Sequence, residues 1–347
     1  MILINGYFLC RKLTGIERVA YELTNRLDNL CFSNEISIII PGNCNNIPNY
    51  KNINIIKYKK IMPHIIWQHI YLQIFLFFNS KYTMLDYGNT CLPLFPGIIF
   101  LHDIYCKLFP KDFITYRDKI VRLYNLWQYK LIAHKAKHII TVSNYIKNQI
   151  TQYYKIKPDK ISVIYGSYDH FITINPDYTI INSLSFLSKP FYFTLGSLSR
   201  RKNLKWILQY AHHNPNSLFA ISGISITTAS DSFDISVPEN VKFLGYLDDS
   251  KVKALMQKCK AFIHPAYYEG FGLTPLEALS CGARIIVSNV SSLPEIYGKS
   301  AIYIDPNNYN IDLDNLIFQK TESAEKLLKK YSYNNSSKLL YDLIKRY

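Results

Sequence analysis

Apolar residues in this chain gather in short runs, and between the runs they recur every three or four positions. The runs are "MILING" at the start, "ISIII" (36–40), "YTMLDY" (82–87), "GIIFLHD" (97–103), "HIITVS" (138–143) and "ISVIYG" (161–166). Helical periodicity occupies 16–30, 64–78 and 116–136 between them. Short buried strands alternating with helices predict an α/β domain with a parallel sheet. A turn-rich passage, 168–190, interrupts the rhythm and reads as an interdomain linker. The pattern restarts with "FYFTLGS" (191–197), a helix from 203, "SLFAISG" (217–223), "VKFLGY" (241–246) and a helix over 250–258. "AFIHP" (261–265), a helix over 274–281, "RIIVS" (284–288) and "AIYID" (301–305) complete a second Rossmann-like domain. The expected boundaries are 1–185 for the first domain, 186–330 for the second and 331–347 for a C-terminal helix packing back on the first.

The segment "HIIWQHIYLQIFLFF" (64–78) falls short of the ~20 apolar residues that cross a bilayer, and His and Gln interrupt it. It reads as a buried or half-buried helix. An interfacial helix is the alternative, because Trp67 and Tyr71 neighbour Lys57, Lys59 and Lys60.

With 347 residues and 48% apolar content, the chain suits two packed domains and not disorder. The formal charge of +15 is uneven: residues 1–170 hold 21 Lys/Arg against 10 Asp/Glu. Such a half favours an anionic surface or ligand, with a solubility bias spread over helix faces as the alternative. Seven cysteines without a C-x-x-C pair suit a reducing compartment and argue against a disulfide framework or structural zinc. The start has no basic n-region, reads as a strand and not a signal peptide, and implies a cytoplasmic protein.

The chemistry concentrates in "YYEGFGLTPLEALSCG" (267–282). Pro275 suits a first helical position and Thr274 its N-cap. Gly270 and Gly272 permit the positive φ angles that turn successive amides toward a ligand. A helix start with free amides is a phosphate site. Glu277, in the first helical turn, would repel phosphate, so a neutral diol such as a ribose is its expected partner. Glu269 at the strand end is suited to accept from sugar hydroxyls. The bland alternative makes Glu277 a capping-box residue and Glu269 a solvated charge. In "LGSLSRRKNLKWI" (195–207), Arg200, Arg201 and Lys202 stand between a strand ending at Gly196 and a helix, a placement suited to a diphosphate.

"YEGFGLTPLEALSCGARIIVSNVSSLPEIYG" resembles the Glu-x7-Glu region of family 4 glycosyltransferases, and within them the mannosyltransferase-B-like group. "LTGIERVAYEL" (13–23), "LHDIYCKLFPKDF" (101–113) and "HIITVSNYIKNQI" (138–150) are similar to its N-terminal glycine loop, its His-Asp loop and its Ile-Thr-Val-Ser segment. The resemblance implies the GT-B fold, two Rossmann-like doubly wound domains facing a central cleft.

It further implies that Glu277 holds the ribose and Glu269 the transferred sugar, with the amides of Gly270, Phe271, Gly272 and Leu273 nearby. Arg201 and Lys202 would bind the diphosphate and Gly15 would let the N-terminal loop approach it. His102 would lie near the sugar and acceptor, a core histidine being the alternative, with Asp103 orienting its loop. Many relatives carry Arg where this chain has Ser197, which leaves Arg200 or Arg201 to supply the second cation. Tyr246 and Leu247 would meet the nucleobase, with Asp248 or Asp249 capping the next helix. Asp312 and Asp314 spell a metal-binding Asp-x-Asp but read as helix capping, and the resemblance implies no metal.

The implied reaction is retaining transfer of a hexose, with mannose from GDP-mannose as the leading sugar donor, or a UDP- or dTDP-sugar otherwise. No nucleophilic carboxylate is required if the departing phosphate takes the acceptor proton. The expected acceptor is lipid-linked, as in O-antigen or capsule synthesis, and the enzyme would sit peripherally on the inner face of the cell membrane. The basis is a helix carrying Lys119, Arg122, Lys130, Lys135 and Lys137 among Tyr124, Trp127 and Tyr129. A sugar-nucleotide epimerase of the same shape is one rival. A nucleic-acid-binding protein is another, but the cations show no recognition-helix pattern.

Overall fold

The computed structural model describes residues 1–45, 47–60, 63–196, 199–223 and 236–347. Ser197, on which the departure from the family pattern rests, lies outside them.

Two compact units are present, Met1–Gly166 with Ser332–Tyr347, and Ser167–Tyr331. The division thus falls at 166/167 and not at 185/186. The turn-rich segment read as a linker forms short helices, Asp169–Ile172 and Thr179–Asn182, inside the second unit. Lys253 Nζ, which donates to the carbonyls of Phe171 (2.6 Å) and Ile174 (2.7 Å), ties it there.

The first unit holds a seven-stranded sheet in the order β3-β2-β1-β4-β5-β6-β7, with every pair parallel. Its strands are β1 (Ile2–Asn5), β2 (Ile36–Ile40), β3 (Asn54–Lys57), β4 (Thr83–Asp86), β5 (Ile98–Phe100), β6 (His138–Thr141) and β7 (Ile161–Val163). β3 has no counterpart among the apolar runs, because an edge strand buries little and its sequence, NIIK, is polar at both ends. The C-terminal helix Tyr333–Ile344 packs on Gly15–Leu30, where Arg26 Nε donates to Asn334 Oδ1 at 3.0 Å.

Segment 64–78 is helical throughout, with a π turn at Trp67–Tyr71 between His64–Ile66 and Leu72–Phe78. It is buried on one side only: Trp67, Leu72 and Leu76 enter the core with Leu3, Ile39 and Met84. The basic helix, Tyr116–Lys135, also departs from expectation. Tyr129 is buried, Arg122 donates to the Cys106 carbonyl and Lys135 to that of Pro93, while Lys137, beyond the helix, bonds Thr83 Oγ1. Lys119 and Lys130 stay exposed.

The second unit holds a six-stranded sheet in the order β10-β9-β8-β11-β12-β13, again all parallel. The strands are β8 (Phe191–Leu195), β9 (Leu218–Ser222), β10 (Val241–Gly245), β11 (Ala261–His264), β12 (Ile285–Ser288) and β13 (Ile302–Ile304). One face packs on the helix Leu204–His213, whose Trp206, Ile207 and Tyr210 join Tyr192, Phe219 and Ile263 in the core. Both sheets have the doubly wound Rossmann order.

Candidate active site

In the second sheet the strand order reverses between β8 and β11. Loops leaving neighbouring strands at such a switch point diverge, and ligands of open α/β sheets bind there. These are the two loops singled out by sequence, and they are stitched together. The Tyr267 amide donates to the Arg201 carbonyl at 2.9 Å, and Asn203 Nδ2 donates to the Pro265 and Pro306 carbonyls at 3.0 and 2.8 Å. Asn203 takes a left-handed φ of 55°, which Asn tolerates better than most residues. It separates a 3-10 turn, Arg200–Lys202, from the helix that follows.

That turn aims Lys202 at Glu269, with Nζ 2.5 Å from Oε1. His264, the last residue of β11, brings Nε2 to within 3.0 Å of the same oxygen. Oε1 therefore takes two donors while Oε2 takes none among the described residues. The main chain of Glu269 is pinned as well: its amide donates to Ser291 Oγ, and its carbonyl accepts from Ser292 Oγ, each at 3.0 Å. Ser291 sits at a left-handed φ of 55°.

Burial would push the Glu269 carboxyl upward. The Lys202 ammonium, the His264 hydrogen bond and the Arg201 charge outweigh it and hold the group well below the usual carboxylate range. Glu269 is thus a buried anion that can only accept, so His264 Nε2 carries the proton. Burial pushes the His264 imidazolium down against the pull of Glu269, and nearby Lys202 adds to the depression. The imidazole is neutral and its tautomer is set.

The helix after this loop runs Leu273–Ser280, with Gly272 at its N-cap. Thr274 is therefore not the cap, Pro275 is not the first helical residue, and Glu277 lies in the second turn. Of the two glycines only Gly272 has a positive φ (86°); Gly270 does not. A Cβ at Gly272 would stand 2.7 Å from Leu293 Cδ2. The Gly272 carbonyl accepts from the hydroxyl of buried Tyr297. Burial raises the Tyr297 phenol far above its ordinary value, and the charges of Glu269 and Glu277 raise it further, so this ring feels both carboxylates. Glu277 is paired with His170, Nε2 to Oε1 at 3.0 Å. With the cap at Gly272 the third helical residue is Pro275, so Glu277 is not a capping-box residue.

Arg201, Lys202, Glu269 and Gly272 are thus gathered at the switch point. Arg200 is exposed, Phe271 is buried edge-on to Tyr331, and Leu273 and Thr274 are half-buried in the first turn. Gly196 closes β8, its amide bonding the Ser222 carbonyl. Tyr246, 79% exposed, and Leu247 follow β10, which β9 separates from β8.

Gly15 and His102 belong to the first unit. Gly15 opens the helix Gly15–Leu30. His102 is buried behind β5, Nε2 donating to the Tyr87 carbonyl at 2.8 Å, with its ring stacked on Phe100. Asp103 Oδ1 accepts from the Tyr105 amide. Asp248 is the cap of Asp249–Lys258, accepting from the Lys251 amide. Asp312 caps Leu313–Leu316, and Asp314 is occupied by Lys260 and the Tyr192 hydroxyl. Sequence reasoning missed His264, His170, Tyr297, Ser291 and Ser292. His264 lies in the strand "AFIHP" that leads into the loop, and Ser291, Ser292 and Tyr297 lie within the stretch that carries the family resemblance, but none has a type or spacing that marks it apart from ordinary packing residues.

Comparison with known proteins gives this arrangement a family. A family model described as Glycosyltransferase Family 4 matches residues 13–170, and one described as Glycosyl transferases group 1 matches residues 179–337. The O-antigen chain mannosyltransferase B of Escherichia coli is 24% identical over 328 residues, covering 85% of this chain and 84% of that protein. The O-antigen chain mannosyltransferase RfbU of Salmonella typhimurium is 24% identical over 76% of this chain and 72% of its own length. Among solved structures, the sucrose-phosphate synthase of Thermosynechococcus elongatus superposes with a TM-score of 0.75 at 14% identity, covering 99% of this chain and 98% of that one. Anabaena HepE in complex with UDP-glucose gives 0.71 at 16% identity, covering 100% and 99%. With one family model on each half and doubly wound sheets in both, the chain belongs to the group 1/family 4 glycosyltransferases and is a GT-B glycosyltransferase.

Proposed function

We propose that this glycosyltransferase moves mannose from GDP-mannose, with retention of configuration, to a hydroxyl of a lipid-linked or polysaccharide acceptor in O-antigen- or capsule-type synthesis. The observation that carries the reading is the one-sided clamp on Glu269. Lys202 and His264 occupy Oε1 and leave Oε2 to accept from hydroxyls of the transferred sugar. A lysine ammonium has three N–H groups, so Lys202 keeps donors for a departing diphosphate while paired. Arg201 adds a second cation beside it, and the helix start at Gly272 adds oriented amides. Such preorganised charge is worth about 3 kcal/mol per group when it meets charge developing in the transition state. The mechanism asks for no metal, because these cations take its role.

Glu277 would hold the ribose hydroxyls. The mannosyl assignment is supported by the names of the O-antigen relatives. A UDP-sugar is the second reading, favoured by HepE, which is described in complex with UDP-glucose.

A thermal-shift screen against GDP-mannose, UDP-glucose and dTDP-rhamnose separates the readings. A ligand present at a hundred times its Kd stabilises the folded state by about 2.7 kcal/mol. Stabilisation by GDP-mannose, with an α-linked product by NMR, is the expected result. Stabilisation by UDP-glucose alone would transfer the assignment to that sugar donor. Sugar conversion without an acceptor would make the protein an epimerase.

A further inference from the structure

Two helical segments of the first unit lie side by side with apolar faces turned outward. His69 of segment 64–78 hydrogen-bonds the Tyr124 hydroxyl at 2.8 Å, and its ring meets that of Trp127 at 5.5 Å. On the first segment Ile66, Ile70, Ile74 and Phe77 are 40 to 69% exposed. On the second, Tyr116, Ile120, Leu123 and Trp127 are 46 to 82% exposed. Steps of three and four residues align each set along one face of its helix. Leu94, 71% exposed, sits in the seam: its amide donates to Gln73 of the first segment, and the neighbouring Pro93 carbonyl accepts from Lys135 of the second. Soluble monomers scatter exposed apolar side chains singly; a connected ridge of this kind marks an interaction site.

Charge decides what covers it. Segment 64–78 contains no Asp or Glu, and the helix Tyr116–Lys135 contains one, Asp118, which is engaged in its own capping box. Exposed Arg117, Lys119 and Lys130 stand on the second helix within one to four residues of its apolar members, and exposed Lys111 precedes that helix. A second copy of the chain docked here would set these cations against their equals. Nucleic acid would leave the apolar ridge unmatched. An interface of apolar and aromatic side chains with a cationic border matches the boundary between acyl chains and anionic headgroups. Among the described residues no helix is long and apolar enough to cross a membrane.

We propose that this helix pair docks on an anionic phospholipid bilayer, its apolar ridge inserted at the headgroup boundary and its cations on the lipid phosphates. The inference gives a surface to the lipid-linked acceptor reading and rests on that reading for its purpose. Its test does not depend on which sugar is transferred.

The three tryptophans supply a probe, since Trp67 and Trp206 are buried and Trp127 is exposed. The full chain is floated with vesicles of phosphatidylglycerol and phosphatidylethanolamine, and separately with phosphatidylcholine. Co-flotation with the first, a blue shift of Trp127 emission quenched by brominated acyl chains, and binding that partly survives 0.5 M salt are expected. The variant Phe77→Ser/Leu123→Ser should lose at least about tenfold in partitioning, with unchanged melting and unchanged transfer to a soluble acceptor fragment. Lys119→Gln/Lys130→Gln should weaken binding to the anionic vesicles alone. Absence of flotation overturns the proposal. So does binding insensitive to the apolar variant, or a dimer in sedimentation that the apolar variant dissociates. Loss of transfer to the soluble fragment with flotation intact would count against the site assignment and not against the surface.

Discussion

His170 Nε2 lies 3.0 Å from Glu277 Oε1, repeating on the second carboxylate the contact that His264 makes with the first. Each acid of the Glu-x7-Glu pair thus has one oxygen held by an imidazole. His170 stands on a short helix whose C-terminal carbonyls are clamped by Lys253.

A held Glu277 presents its second oxygen in a set direction, so His170→Phe should weaken nucleotide binding more than it slows chemistry. Loss of one hydrogen bond to a charged group is worth about 1.5–3 kcal/mol, or at least a tenfold rise in KM for the sugar donor. Steady-state kinetics should show kcat changed by much less, and His170→Gln should recover part of the loss. Equal falls in kcat and kcat/KM would instead put the histidine in the chemical step.

Breaking the Lys202–Glu269 pair strands a buried charge. Glu269→Gln or Lys202→Met alone should cost about 3–5 kcal/mol of stability, and the double variant less than their sum. Chemical denaturation of the four proteins measures the coupling. The Glu269 pKa is depressed on folding, so its contribution is present above the ordinary value of 4.5 and is lost as pH falls further. The gap between the wild type and Glu269→Gln should therefore narrow in acid. A gap constant from pH 7 to pH 3 would contradict the ion pair.

His264 produces a second and higher window. Its folded pKa is also depressed, but here the neutral form is the one folding favours. Below the ordinary value of 6.5 the unfolded chain takes up a proton that the buried site resists, so stability falls as pH drops from about 6.5 toward the folded value. His264→Gln should flatten that limb in pH-dependent melting while leaving the limb below pH 4.5 in place.

Gly272→Ala places a side chain at φ 86° and drives its Cβ into Leu293. Left-handed strain alone costs about 1–2 kcal/mol, so a fall in melting temperature of several degrees is expected. Tyr297→Phe keeps the ring but leaves the Gly272 carbonyl without its hydroxyl partner, at about 1–3 kcal/mol. Both should reduce nucleotide affinity in titration calorimetry, since both loosen the turn that opens the helix.

Much of the architecture was legible because it rests on local rules. β2 and the helix Asp249–Lys258 lie within a residue of the apolar pattern, since a fully buried strand and an amphipathic helix each write their period into the chain. β3 escaped because an edge strand has little apolar surface to bury. The cap of the helix Leu273–Ser280 was misplaced because Thr274 and Pro275 form the commoner opening signal. Packing against Leu293 and Tyr297 started the helix earlier, at a glycine that only tertiary contacts single out. The supposed linker was misread for the same kind of reason: turn-rich sequence looks alike whether it bridges domains or folds onto one.

The residue types in the Glu-x7-Glu loop and the basic turn, their order, and the doubly wound setting that puts them after strands were determined by sequence alone, because strand, glycine and cap signals act within a few residues. Which partner each charge takes was decided by the tertiary structure. Parallel crossovers set β11 beside β8, Ala261 opposite Tyr192, and so join Lys202 to Glu269, while the short helix Asp169–Ile172 folds back to bring His170 to Glu277. No short-range pattern encodes such distances, and a carboxylate's work depends on the donors that hold it.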